Sequence, residues 1–226
     1  MNIVERALRK LRRFVYSAYF NFRVLPLYQA VKMPFCCHVW PTISGYRGTV
    51  KFDCPKIKRY MVQLGNQRTP ILPQRSLVWT NRGTIVFKGK SHIGHHTLIQ
   101  VRKNGYLEFG NQVGLNSGCR IVCQQKIIFR SKVRASWDCQ FYDTNFHPLI
   151  DMLTNKQIRM CSPIVIGENV WIGHNVIISK GVKLASGIIV SSGSVVKGIF
   201  RTPNCIISGN PAVKVGEGYR AEFPDF

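Results

Sequence analysis

Acidic side chains are scarce: ten Asp and Glu stand against 32 Lys and Arg in 226 residues, a formal net charge of +22. That imbalance is out of keeping with an ordinary small-molecule enzyme and calls for an anionic partner, with nucleic acid, anionic lipid and acidic glycan as the classes. Long apolar runs are also missing. No uninterrupted stretch reaches the roughly 18 residues that a transmembrane helix needs, and the N-terminus lacks a secretory apolar core. Eight cysteines occur without a CxxC pair, which argues against zinc and for reduced, structural thiols in the cytosol. Cys119 falls where a small apolar side chain would face inward. Motifs for nucleic-acid binding are absent, as is a dense aromatic-basic platform, so that reading rests on charge alone and no nucleic-acid partner is expected.

What the chain does have is a period. From Ile166 to Ile199 it reads IGENVW IGHNVI ISKGVK LASGII VSSGSV VKGI. Every sixth residue is aliphatic (Ile166, Ile172, Ile178, Leu184, Val190, Val196), and the next is mostly small (Gly167, Gly173, Ser179, Ala185, Ser191). The fifth positions are Val170, Val176, Val182, Ile188 and Ser194. A helix turning about 100° per residue would scatter such a series round its circumference, whereas an extended chain returns it to one face. Strands this short bury nothing alone. Turning at each small residue, they stack into a β-solenoid, and a three-walled prism takes about eighteen residues per coil.

This pattern, with NVWIG at Asn169–Gly173 and SGNPA at Ser208–Ala212, resembles the hexapeptide-repeat acyltransferases, in particular their sugar O-acetyltransferase branch. The resemblance implies a mainly β fold, a left-handed parallel β-helix. Its left hand is implied by the resemblance alone, since physical priors favour right-handed crossovers. The expected organisation is a basic helix and irregular lead-in over 1–75, the β-helix over 76–215 with a loop at 144–163, and a tail over 216–226.

Elsewhere the signals are weaker. In residues 1–22, Val4, Leu8, Leu11, Val15, Ala18 and Phe22 recur every three or four positions, with Arg6, Arg9, Lys10, Arg12 and Arg13 largely on the other side. This is a basic amphipathic helix that either packs on its own domain or a neighbouring subunit, or lies on an anionic membrane. Pro26, Pro34, Pro41, Pro55, Pro70 and Pro73 break up the segment from Arg23 to Arg75, which leaves room for a first, imperfect coil. Inward spacing resumes at Phe87, Ile93 and Ile99, continues through Phe109, Leu115 and Ile121, and then Phe129, Ala135 and Phe141, with extra residues expected as bulges at corners. Between Thr144 and Ser162 the phase is lost, and a long excursion from a regular solenoid more often carries function than decoration.

His147 opens that excursion in DTNFHP. Taken alone it reads more readily as a surface or packing histidine. The resemblance makes it the general base. Imidazole titrates near neutral pH and can take the proton of an alcohol as it attacks a thioester, which is already activated. The resemblance likewise gives Asn116 a part in positioning the acceptor or the oxyanion, against a plain polar corner residue. Asp143 either orients the imidazole or binds substrate, or caps a turn. Trp171, His174, Ser191, Ser192 and Lys197 match the wall along which relatives lay coenzyme A, although sharp corners explain the serines equally well. Lys197, Arg201 and Lys214 are candidates for the nucleotide phosphates, Lys214 with Val213 intervening after the NPA. His92, His95 and His96 cluster, but strand neighbours point to opposite faces, so no metal site is expected.

The resulting expectation is an acetyl-CoA-dependent O-acetyltransferase of a bacterial surface polysaccharide or its lipid-linked precursor. Its partners would be acetyl-CoA, a glycan acceptor and two further copies in a homotrimer. It would work in the cytoplasm, peripherally on the inner face of the membrane if residues 1–22 bind lipid. The alternatives are an N-acetyltransferase of an amino sugar and a non-catalytic solenoid scaffold.

Overall fold

The computed structural model describes residues 2–66 and 75–223, so Pro70, Pro73 and the last three residues of the tail lie outside the described residues. Three parallel sheets form the walls of a prism. The second and third walls have seven strands each, and the first has nine, its last strand antiparallel. Successive strands along the chain occupy first, second and third wall in turn, and each pairs with the strand one coil away. This is a parallel β-helix.

Hexad register decides which side chains fill it. Trp171 lies beside Ile189 and Ile172 beside Val190, so one coil takes the expected eighteen residues. Every inward position read from the sequence, from Phe87 through Ile121 and Phe141 to Val196, is buried. At the fifth positions Val170, Val176, Val182 and Ile188 are fully buried. Ser194 is buried too, its Oγ donating to the Ser191 carbonyl (2.7 Å) and accepting from the Gly209 N–H (3.2 Å). Small residues follow the inward ones because coils touch there: a Cβ on Gly173 would lie 2.6 Å from the Ser192 nitrogen. All eight cysteines are free, and Cys119 is buried.

Coils already form within the lead-in. Phe35–Cys37, Pro41–Gly45 and Thr49–Phe52 make the first, and Val62–Leu64 returns to the first wall to begin the second. The extra residues expected as bulges sit at one corner, between the second and third walls, as in the turn joining Leu98–Val101 to Tyr106–Phe109. At that same corner the fifth coil gives off residues 144–163, which double back as an antiparallel hairpin of Leu149–Asp151 and Lys156–Ile158. At the far end SGNPA forms the turn between Cys205–Gly209 and Ala212–Glu217, which closes the first wall.

The helix at the other end, α1 (Ile3–Val24), starts with a capping box in which Asn2 and Glu5 exchange side-chain and backbone hydrogen bonds. Its docking face is not its apolar stripe. Ser17, Phe20, Asn21 and Val24 are buried, whereas Val4, Leu8, Leu11, Val15 and Phe22 are exposed. The reason is the open edge of Phe35–Cys37, which has a strand on one side only and must satisfy its outer N–H and C=O groups otherwise. Asn21 supplies both halves of one pair, Nδ2 donating to the Phe35 carbonyl (2.8 Å) and Oδ1 accepting from the Phe35 N–H (3.1 Å). Ser17 Oγ accepts from the Cys37 N–H (2.9 Å). Between them Phe20 packs edge-on against Phe35 and Trp79, with centroids 5.1 and 5.2 Å apart.

Candidate active site

The corner between the second and third walls bears the most chemistry. Stacked turns from the first to the fifth coil line a groove of about 790 Å³, with Ser44, Arg82, Arg102, Lys103, Gln124 and Cys161 among its walls. Its upper end is the stem of the 144–163 loop, where Thr144 bridges to Cys161 and its hydroxyl donates to the Gln124 side chain (3.3 Å). His147 lies three residues beyond Thr144. Its ring is exposed and has no hydrogen-bond partner among the described residues.

Asp143 is buried at the root of that loop, and its carboxylate is occupied. Oδ1 accepts from the Gln124 N–H (2.8 Å), and Oδ2 accepts from those of Gln125 (2.8 Å) and Lys126 (2.7 Å). Of the two readings of Asp143, the contacts are those of a turn cap: it locks the corner from which the loop departs and makes no hydrogen bond to His147. Its charge also helps burial to push the Cys123 thiol well above its ordinary value, which keeps that cysteine a neutral packing residue.

The remaining candidates divide among corners. Trp171, His174, Ser191 and Ser192 come together in the sixth and seventh coils, on the first wall and at its corner with the second. There the His174 N–H donates to Ser192 Oγ (3.2 Å), and the indole of Trp171 stands exposed. Asn116 occupies the same edge two coils earlier, half-buried and held by its backbone N–H to the Ala135 carbonyl (2.9 Å). Lys197 lies at the second-to-third corner, and Arg201 follows the last third-wall strand. Lys214, on the terminal hairpin, pairs with Glu217 at 2.7 Å. Within one chain, then, the Trp171 group belongs to the first wall and its corner with the second, and the loop of His147 leaves the second-to-third corner. The basic groove residues Arg82, Arg102 and Lys103 went unread in the sequence. They belong to corners rather than to hexad positions, and only stacking makes them neighbours.

Residues 163–198 match the family model described as bacterial transferase hexapeptide (six repeats). The chain carries hexapeptide repeats of the bacterial transferase type. Among solved structures, the chain is similar to the polySia-specific acetyltransferase NeuO, at 19% identity, covering 85% of this chain and 90% of that one, TM-score 0.46. It is similar to a maltose O-acetyltransferase from Clostridium difficile 630, at 18% identity, covering 93% and 87%, TM-score 0.41. It is also similar to a galactoside acetyltransferase solved in complex with coenzyme A, at 17% identity, covering 96% and 90%, TM-score 0.30. No curated protein matches the chain.

The hexapeptide repeats account for the NVWIG string in physical terms. Asn169 takes the left-handed corner (φ 55°), Val170 and Ile172 point inward, Trp171 points out, and Gly173 lets the next coil approach. Among the described residues no three His, Cys, Asp or Glu side chains are placed to hold a metal ion. His95 lies fully buried, its Nδ1 accepting from the Arg75 N–H (3.4 Å), and burial lowers its pKa. Nor is any described helix long and apolar enough to cross a membrane.

Proposed function

We propose that this hexapeptide-repeat chain is an acyltransferase that moves an acetyl group from acetyl-CoA to a hydroxyl of a glycan, with His147 as general base. The observation that carries the reading is an exposed, unencumbered imidazole on a loop whose root is locked by Asp143 and whose stem closes a groove of about 790 Å³. Such a groove takes an extended, polar acceptor rather than a small compact one. Arg82, Arg102 and Lys103 on its walls favour an acceptor that carries negative charge, such as an acidic surface polysaccharide or a lipid-linked precursor.

His147 takes the proton of the acceptor hydroxyl as that oxygen bonds to the acyl carbon. It then delivers the same proton to the thiolate released when the carbon–sulfur bond breaks. Trp171, His174, Ser191 and Ser192 offer an exposed aromatic face and a run of small corner residues along which a pantetheine arm can lie, with Lys197, Arg201 and Lys214 as cations for its nucleotide phosphates. Because Trp171, His174, Ser191, Ser192 and Asn116 belong to the first wall and its corner with the second, while the loop of His147 leaves the second-to-third corner, the site becomes complete when a second copy brings its own edge to the loop. A closed ring of three copies does this with identical contacts. In keeping with that, the hairpin exposes Met152 (90%) and Leu153 (98%) at its tip, an apolar end suited to a neighbouring prism.

The test is coenzyme A release from acetyl-CoA with a panel of neutral and acidic oligosaccharides. His147→Ala should bind acetyl-CoA as the parent does and lose about 10²-fold or more in turnover. A fully active alanine variant overturns the mechanism, and absence of turnover with every acceptor, together with saturable glycan binding, would make the solenoid a scaffold.

A further inference from the structure

We infer that the outward face of α1 is a docking surface for an anionic lipid bilayer. The structure separates two sides of this helix that the sequence alone leaves in competition. The side carrying Ser17, Phe20, Asn21 and Val24 is used up in closing the prism. Val4, Leu8, Leu11, Val15 and Phe22 fall within an arc of about 60°, roughly half a turn away from that side. They are 47% to 64% exposed. An apolar stripe this regular gains nothing from water, and no described part of the chain covers it.

Charge selects the occupant. Arg12 lies beside the stripe, about 70° from its centre, Arg6, Arg9 and Lys10 stand further round the same turns, and every residue from Asn2 to Arg12 is exposed. Lysine and arginine stems can run along an apolar boundary while their heads reach lipid phosphates. A second copy of this chain is a poor match, because it would bring two basic helices together in a molecule of net charge +22 with only ten acids. The stripe runs eighteen steps from Val4 to Phe22, about 27 Å at 1.5 Å per residue, and being confined to one side it suits a helix lying in the interfacial plane rather than crossing it. Just beyond it Leu27, Tyr28 and Val31 on α2 (Leu27–Ala30) and its cap extend the exposed apolar surface. Docked this way, the prism is held against the membrane by the end that α1 caps.

The experiment is co-sedimentation of the full chain with vesicles of phosphatidylcholine and phosphatidylglycerol (7:3) against phosphatidylcholine alone. Binding is expected to the anionic vesicles at low salt and to weaken as salt rises. Leu8→Glu/Val15→Glu changes two exposed positions and should leave the thermal transition in place while weakening vesicle binding by about tenfold or more. Leu11→Trp gives a second readout in an otherwise unaltered helix, a blue shift of the added indole on mixing with anionic vesicles. Unchanged binding by the double variant overturns the inference and assigns the attraction to the prism's own charge. So does an indole that stays solvent-exposed. A fall in molecular mass caused by the double variant also overturns it and makes this face a contact between copies.

Discussion

The prism before the 144–163 loop and the prism after it are filled differently. Before it, Phe35, Phe52, Phe87, Phe109, Phe129 and Phe141 run through the core with Trp79. Phe87, Phe109 and Phe129 stack along the third wall with centroids 5.0 and 5.5 Å apart, close to the spacing of neighbouring strands. After it the buried ladders are Ile, Val and Leu, and among the described residues the one aromatic on the core, Phe200, is only half-buried at the last third-wall strand. Coil length follows the filling. Phe87 lies beside Phe109 and Phe109 beside Phe129, so those turns take 22 and 20 residues, against 18 from Ile172 to Val190. The walls keep the same six-residue spacing of inward positions in both regions, and the residues added sit at the corner that became the groove.

The comparison breaks most readily in the core. Phe109→Ala removes a ring from the middle of a stack and should cost about 3–5 kcal/mol, whereas Ile178→Val in the aliphatic part should cost about 0.5–1.5 kcal/mol. Urea unfolding of the two variants measures both. Equal losses would mean that the ring contributes far less than the area it buries, and that the aromatic stack is not closely packed.

That difference also explains what could be read from the sequence. The aliphatic coils keep a strict period, so their inward residues, corners and fold were legible, and the aromatic ones from Phe87 onward were legible once the extra corner residues were allowed for. A first, imperfect coil was expected in the lead-in, but its inward residues and those that start the second were not legible, because the turns from Phe35 to Val62 and from Ile43 to Trp79 are longer still and hide the period. The docking face of α1 was left open for a different reason: a polar Asn21 and Ser17 are the right residues to face an open strand edge, and hydrophobic spacing does not see that need. In the candidate site, the loop that carries His147 was legible because the period stops there, whereas the role given to the imidazole came from the resemblance alone. Whether Asp143 met the imidazole or the backbone was not legible, since both uses call for a carboxylate.

Asp143 stands at the junction of the two regions, and its replacement sharpens the contrast between them. Asp143→Ala leaves three N–H groups of the 124–126 corner to water and should destabilise the protein by about 2 kcal/mol. Turnover should fall as well, because the loop loses its anchored root. Asp143→Asn keeps one acceptor oxygen and should recover part of both. If instead the alanine variant is as stable as the parent and inactive, with acetyl-CoA binding intact, the carboxylate acts on His147 and the role of turn cap is secondary.

The smallest expected effect lies on the outside of the third wall, where the two regions also differ. Its outward ladder runs through Val86, Glu108, Ile128, Val165 and Lys183, so one acid sits among otherwise apolar or basic neighbours. Glu108 is buried there beside Lys88 (3.6 Å) and Arg130 (4.0 Å), and it accepts a hydrogen bond from the Tyr106 hydroxyl (2.7 Å). Burial, and then that hydrogen bond, push the Tyr106 phenol up to about 12. The neutral phenol is therefore the form the fold favours. Its stabilising effect is complete below the ordinary tyrosine value of about 10 and is lost as pH rises through 12. Tyrosinate absorbance in the parent and in Tyr106→Phe isolates this group: one phenol titrating near 12 should vanish in the variant. A missing component near 10 instead would mean that water reaches Glu108, and that the outer face of the aromatic region is as open as that of the aliphatic one.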